Sequence, residues 1–166
     1  LNMNGNPSGG SGTFTTHAWT GTGAIYLSST SIVNPVFSGA PAGSYTLTYT
    51  VTDDNGCTGT DNITVTVNEN PVAAITPDPA VLCADGSLNM NGNPSGGSGT
   101  FTIHEWTGTG AIYLSSTSIV NPVFSGAPAG SYTLIYNVTD GSGCTATDNI
   151  TVTVNPQPVT SPIYHN

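Results

Sequence analysis

The stretch Ala42–Asn68, AGSYTLTYTVTDDNGCTGTDNITVTVN, decides the fold of this chain. Apolar residues alternate mainly with threonine through residues 45–52 and again through 63–67. This period of two predicts two β-strands, each with one apolar face. The turn residues Asp54-Asn55-Gly56 separate the two runs and predict an antiparallel hairpin. The sequence has no helical stripe of period 3.6, so the whole chain is predicted to be all-β.

The hairpin belongs to a longer unit that occurs twice. Residues 1–68 recur as residues 88–155 with seven differences. The differing pairs are Thr16/Ile103, Ala18/Glu105, Thr48/Ile135, Thr50/Asn137, Asp54/Gly141, Asn55/Ser142 and Gly59/Ala146. Near-identical tandem units are typical of proteins that are long or present one surface repeatedly. The repeat therefore favours a structural array over an enzyme.

Short strands separated by turns fill the rest of each copy. In the first copy we predict strands at residues 1–3, 14–20, 24–28 and 32–37. Turn signals about every 8–12 residues indicate a sandwich of two antiparallel sheets. Four of the differing positions lie on strand faces that we expect to face solvent. The predicted organisation is a sandwich lacking its first strand in residues 1–68, a complete sandwich in 69–155, and a tail in 156–166.

A second signal is the tyrosine that follows a corner of small residues, in Ala42-Gly43-Ser44-Tyr45. Together with Trp19, it resembles the tyrosine corner and the core tryptophan of immunoglobulin-like sandwiches. The stretch 42–68 also resembles the closing hairpin of PKD-like repeats, which occur in tandem in large secreted bacterial surface proteins of the gliding-adhesin type. The WDFGDG signature of PKD domains is replaced here by HAWTGTG and HEWTGTG. The resemblance implies immunoglobulin-like spacer or adhesive repeats at a cell surface.

Charge excludes several classes of partner. The 166 residues include no Lys or Arg and nine Asp or Glu, for a net charge of -9. Binding to nucleic acid and to anionic membranes depends on basic side chains, so both are excluded. No stretch is apolar and long enough to span a bilayer. We expect an acidic extracellular protein with no cofactor and no membrane insertion.

Three cysteines form the sharpest chemical pattern. Cys57 and Cys144 occupy the same repeat position after the hairpin turn, and Cys83 lies in the segment that leads into the second copy. In an oxidising compartment we expect a Cys83–Cys144 disulfide, which would stabilise the fold by about 4 kcal/mol through loop entropy. Cys57 would then be unpaired or bonded to another subunit. Free buried thiols are the alternative, and a zinc site is disfavoured because CxxC spacing is missing.

Histidines and a turn of polar residues are the other candidate ligands. His17 and His104 flank the two tryptophans and could act as bases or metal ligands. We favour strand histidines that bond to a neighbouring hydroxyl or carbonyl. The turn Asp53, Asp54, Asn55 could bind calcium, but the second copy retains only the first of these residues. Neither pattern forms a triad or a carboxylate pair. We therefore predict no enzymatic activity, no catalytic residue and no metal site.

Three asparagines occur in Asn-x-Thr sequences. Asn62, Asn137 and Asn149 are therefore candidate glycosylation sites, although threonine-rich strands generate such sequences by chance.

Two functional hypotheses follow. The first is a non-enzymatic structural or adhesive repeat of an extracellular fibre or stalk. The second is a bivalent module that binds surface glycans through Trp, Tyr and Asn. Exposure of Trp19 and Trp106 separates them, since buried rings favour the structural repeat.

The tail suggests how copies could be joined. Residues 156–166 align with residues 69–79, where the second sandwich begins, whereas the first sandwich has no counterpart of that segment. We predict that the tail of one copy completes the first sandwich of another, giving a head-to-tail polymer. The apolar tail residues expected in this contact are Val159, Ile163 and Tyr164. The alternative is one continuous covalent array of 87-residue repeats.

Overall fold

A computed structural model describes residues 1–162 of the chain. Helix in this part is confined to two single turns of 3₁₀ helix, at Ala24–Tyr26 and Ala111–Tyr113. The remaining regular structure is β-strand, as the sequence predicted. The chain divides into two compact units, Leu1–Glu69 and Asn70–Asn166.

The first unit contains a three-stranded antiparallel sheet. Its strands are β1, Phe14–Thr20; β2, Gly43–Asp53; and β3, Thr58–Val67, in the order β1-β2-β3. Strands β2 and β3 are the predicted hairpin. A second layer is held by two isolated β-bridges, Asn2↔Val36 and Leu27↔Phe37.

The second unit has more strands. They are β4, Pro71–Val72; β5, Ala80–Cys83; β6, Ser87–Asn89; β7, Ser95–Gly96; β8, Phe101–Thr107; β9, Val123–Ser125; β10, Gly130–Asp140; and β11, Thr145–Asn155. The main sheet has the order β5-β11-β10-β8, and the pairs β4-β7 and β6-β9 are separate small sheets. β5 runs parallel to β11, whereas the other pairs are antiparallel.

The alternation in the hairpin places one face of β2 in the core. Leu47 and Tyr49 are buried, and the threonines between them point away from the core. Trp19 on β1 packs against Tyr49 with ring centroids 4.7 Å apart, and Met3 and Phe37 belong to the same buried cluster. The second unit repeats this core, with Trp106 and Tyr136 also 4.7 Å apart. Such aromatic pairs contribute about 0.5–1.5 kcal/mol beyond the area that they bury.

Three predicted strands are shorter than expected or absent. Residues 24–28 form a 3₁₀ turn instead, because the N–H of Tyr26 donates to Gly23 O and the N–H of Leu27 donates to Ala24 O. In residues 32–37 only single bridges form, and residues 1–3 contribute one bridge. These segments bond to each other through isolated contacts, as in Met3 N–H to Pro35 O at 2.9 Å.

Candidate functional site

The histidines beside the tryptophans have a structural role. Nδ1 of His17 and the hydroxyl of Tyr49 share a hydrogen bond of 2.7 Å, and His104 and Tyr136 share one of 2.6 Å. Burial raises the pKa of Tyr136 to about 12, so its hydroxyl stays protonated at neutral pH. These contacts agree with the favoured interpretation, in which a strand histidine bonds to a neighbouring hydroxyl.

The tryptophans do not form an exposed platform for sugars. Trp19 is 4% exposed and Trp106 is 2% exposed. Their indole N–H groups donate to backbone oxygens, of Ile32 at 2.9 Å and Ile119 at 2.8 Å. Stacking on a glycan requires an accessible ring face, so the tryptophans cannot supply the binding surface that the glycan hypothesis assigned to them.

The tyrosine corner is present in both units. The hydroxyl of Tyr45 donates to Pro41 O at 2.8 Å, and that of Tyr132 donates to Pro128 O at 2.9 Å. Each bond reaches back four residues and fixes the entry to the long strand that follows. This feature supports the immunoglobulin-like interpretation of the sequence.

The turn considered for calcium is built around one carboxylate. Asp53 accepts hydrogen bonds from the backbone N–H groups of Cys57 at 2.8 Å, Ser11 at 3.1 Å and Asn55 at 3.1 Å. The bond from Cys57, followed by that from Ser11, holds the pKa of Asp53 below its ordinary value. Because backbone donors already use both carboxylate oxygens, the turn is anchored by Asp53 itself.

Asp140 repeats this arrangement in the second unit and is 1% exposed. Burial acts to raise its pKa, but hydrogen bonds from the N–H groups of Ser98, Cys144 and Ser142 outweigh it, so the pKa is lowered. Among residues 1–162, no group of three or more His, Cys, Asp or Glu is arranged to hold a metal ion.

The predicted Cys83–Cys144 disulfide does not form, and all three cysteines are free thiols. Cys83 lies level with Asn155 at the end of β11, whereas Cys144 precedes the start of that strand. An extended strand of 11 residues spans about 35 Å, but a disulfide requires Cα atoms within about 7 Å. The prediction failed because the parallel pairing of β5 takes Cys83 to the wrong end of β11. Cys57 is exposed, as an inter-subunit thiol would have to be.

The candidate glycosylation sites all lie on strands. Asn62 and Asn149 are exposed, and Asn137 is half-buried and accepts a hydrogen bond from Thr147 Oγ1 at 2.7 Å. In the tail, Val159 is 95% exposed, and Ile163 and Tyr164 lie outside the described residues. Glycosylation at these three asparagines stays a prediction.

The main difference between the two units lies at one sheet edge. In the second unit β5 covers the outer edge of β11, with Val152 opposite Ala80 and Val154 opposite Leu82. In the first unit β3 is the last strand of the sheet, and its outer edge has no strand partner within residues 1–162. The residues that would match β5 under the 87-residue repeat would precede Leu1.

Side chains along this edge are exposed accordingly. Ile63 on β3 is 49% exposed, whereas its counterpart Ile150 on β11 is 8% exposed. The sequence around both residues is the same Asp-Asn-Ile-Thr-Val-Thr-Val. The difference therefore comes from what covers each strand and not from the residues of the strand.

Three cavities lie in a row along β3, and we call them together the edge groove. The first has a volume of about 200 Å³ and lies beside Ser8, Val51 and Cys57. The second, of about 240 Å³, lies beside Asn4, Trp19, Tyr49, Asp61 and Ile63. The third, of about 390 Å³, lies between Phe37 and Ala40 on one side and Val65 and Val67 on the other. The edge groove is the best-formed candidate binding site of the first unit.

Comparison with known proteins agrees with this fold. Residues 1–67 match the family described as "K319L-like, PKD domain". The chain is 30% identical over 139 residues to the human dyslexia-associated protein KIAA0319, covering 77% of this chain and 13% of that protein. It is also 30% identical over 124 residues to the mouse KIAA0319-like protein, covering 69% of this chain and 12% of that protein. The chain thus spans about an eighth of the length of these relatives.

A solved structure is also similar. The PKD1 domain of the Vibrio cholerae metalloprotease PrtV aligns with a TM-score of 0.42 and 23% identity, covering 52% of this chain and 99% of that domain. The chain therefore has an all-β, PKD-like and immunoglobulin-like fold. The two curated relatives are mammalian, so they lend no support to the bacterial gliding-adhesin context. In residues 1–162, no helix combines the length and apolar character needed to cross a bilayer.

Proposed function

We propose that the chain is a non-enzymatic structural or adhesive module of an extracellular fibre or stalk, in which copies are linked head to tail. The open edge of β3 carries this proposal, because the same edge is covered in the second unit. A sheet edge with unpaired N–H and C=O groups is a template for another strand. A contact between the front of one copy and the tail of the next is heterologous, so it builds a linear filament and not a closed ring.

The tail is the part of the chain that we propose as the connector. Residues 156–162 are exposed, and Pro158 corresponds to Pro71, which is buried in the second unit. Ser161 corresponds to Ala74, which is exposed there. If the tail enters the edge groove in this register, Pro158 is covered and Ser161 still faces solvent.

The absence of basic residues fits an extracellular setting. A surface that carries nine carboxylates and no Lys or Arg keeps copies apart except where backbone pairing and apolar contact hold them. Repulsion between copies falls as salt screens these charges, since the Debye length shrinks to about 8 Å at physiological ionic strength. We therefore expect assembly to be favoured by salt.

Sedimentation velocity and negative-stain electron microscopy of the full chain, over a range of concentrations, test the proposal. We expect oligomers or fibres that lengthen with concentration and are lost when residues 156–166 are deleted. Pro158→Glu should weaken assembly, and the matched control Ser161→Glu should not. A chain that stays monomeric at every concentration and salt level, or assembles equally without its tail, would refute head-to-tail linkage through the tail.

A further inference from the structure

The second unit shows how the edge groove is filled when a segment is present. Residues 71–83, which we call the lead-in segment, begin with the short strand β4. Pro71 is buried there, and Val72 pairs with Ser95. The counterpart of that serine in the first unit is Ser8, which lines the first cavity. The start of the lead-in segment thus occupies the position of the first cavity.

The middle of the lead-in segment occupies the position of the second cavity. Ile75 is 4% exposed and packs in the core of the second unit. Its N–H donates to Oδ2 of Asp148 at 2.7 Å, and Thr76 exchanges two backbone hydrogen bonds of 2.9 Å with Asn91. The counterparts of these partners, Asp61 and Asn4, line the second cavity of the first unit.

The end of the lead-in segment occupies the position of the third cavity. Ala80 is buried and Leu82 is half-buried, opposite Val152 and Val154. The corresponding valines of β3 line the third cavity. One extended segment therefore crosses all three positions, beginning near the start of β11 and ending alongside its last residues.

The groove linings of the two units are almost the same. Among the seven positions that differ between the copies, only Gly59 lines any of the three cavities, and its counterpart is Ala146. The first unit therefore offers the same acceptors and the same apolar pockets as the second, with none of them filled by residues 71–83.

We propose that the edge groove of the first unit is a binding site for an extended segment of another polypeptide that has the sequence pattern of the lead-in segment. The ligand carries a proline at the first cavity and a β-branched aliphatic residue four positions later at the second. A small residue and a leucine, separated by one residue, fill the third cavity. The ligand pairs in parallel with the end of β3, as β5 does with β11.

This inference deepens the proposed function, since it names what the open edge recognises, but it does not require a fibre. Binding of the segment without polymerisation would refute head-to-tail assembly and leave the binding site intact. Polymerisation of a chain that does not bind the segment would do the reverse.

A synthetic peptide of residues 71–83 with Cys83→Ser, added to the ¹⁵N-labelled full chain, tests the site. We expect chemical-shift changes at β3 and around the second cavity, and little change at β11, because the second unit is already occupied by its own lead-in segment. At a free peptide concentration about ten times the dissociation constant, amide exchange along the edge of β3 should slow about tenfold.

Two pairs of variants identify the contacts. A peptide with Ile75→Asp should bind at least about tenfold more weakly, because it places a charge in an apolar pocket. A peptide with Ala74→Asp should bind as before, since Ala74 is exposed in the second unit. In the chain, Ile63→Asp should abolish binding and Thr64→Asp should not. No change at β3 with millimolar peptide, or equal binding of the Ile75→Asp and Ala74→Asp peptides, would overturn the proposal.

Discussion

Replacement of Ile150 by alanine should cost far more stability than the same replacement of Ile63, although both residues occupy the same repeat position. Ile150 is 8% exposed and Ile63 is 49% exposed. Removing a buried isoleucine side chain costs about 2–5 kcal/mol, which combines lost transfer free energy with the cavity left behind. Ile150→Ala should fall in this range.

At Ile63 both contributions shrink. About half of the side chain is already in water, so the lost transfer free energy is about 0.7–1.5 kcal/mol. Water can enter the space left by the missing atoms, so the cavity contribution is small. The two substitutions should therefore differ by at least about 1 kcal/mol, which corresponds to about 4–8 °C in the Tm of a unit of this size.

Urea denaturation followed by hydrogen exchange and mass spectrometry after pepsin digestion can measure each unit separately. The seven sequence differences give several peptides of the two units different masses. Bound lead-in peptide should raise the cost of Ile63→Ala towards that of Ile150→Ala, because the peptide buries Ile63. Equal costs at the two positions in the free chain would refute the claim that residues 71–83 alone create the difference in burial.

Three further predictions concern pH and thiols. Because the pKa of Asp140 is lowered in the folded state, its contribution to stability should be complete above the ordinary carboxyl pKa and should be lost as the pH falls through the folded value; Asp140→Asn should remove this acid-dependent loss in urea denaturation. Because the pKa of Tyr136 is raised to about 12, the free energy of unfolding should fall between about pH 10 and pH 12, and Tyr136→Phe should flatten that decline. A thiol reagent should find three reactive groups in the native chain, with exposed Cys57 and Cys83 reacting faster than half-buried Cys144, and Cys83→Ser should leave the Tm unchanged.

The closing hairpin of each unit could be predicted from the sequence because its signals are local. The period of two places Leu47 and Tyr49 on one face, and the turn residues fix where the chain reverses. The buried tryptophan and the tyrosine corner followed from the family resemblance. These features depend on residues close together in sequence, so the pattern alone determines them.

The path of residues 71–83 could not be predicted in the same way. The sequence indicated one strand there, but the structure has β4 and β5 separated by residues 73–79. Pro77 and Pro79 were a signal for this break, because proline has no N–H to give to a ladder. Nothing local to Cys83 shows whether its strand runs parallel or antiparallel to its neighbour. The disulfide prediction depended on that choice and was wrong.

The two units form a natural comparison in which strand sequence and groove lining are held nearly constant while the covering segment is present in one and absent in the other. Ile75 and Ala80 are buried only because Asp148, Val152 and their neighbours form a matching surface. The first unit keeps that surface, so its chemistry specifies the missing ligand more closely than the shape of the groove does. A groove that needed no ligand would have no reason to retain the carboxylate of Asp61, which in the second unit accepts the N–H of the covering segment. Asp61→Asn should therefore weaken binding of the lead-in peptide while leaving the stability of the free chain nearly unchanged. An equal loss of stability in the free chain would mean that Asp61 serves the fold and not a ligand.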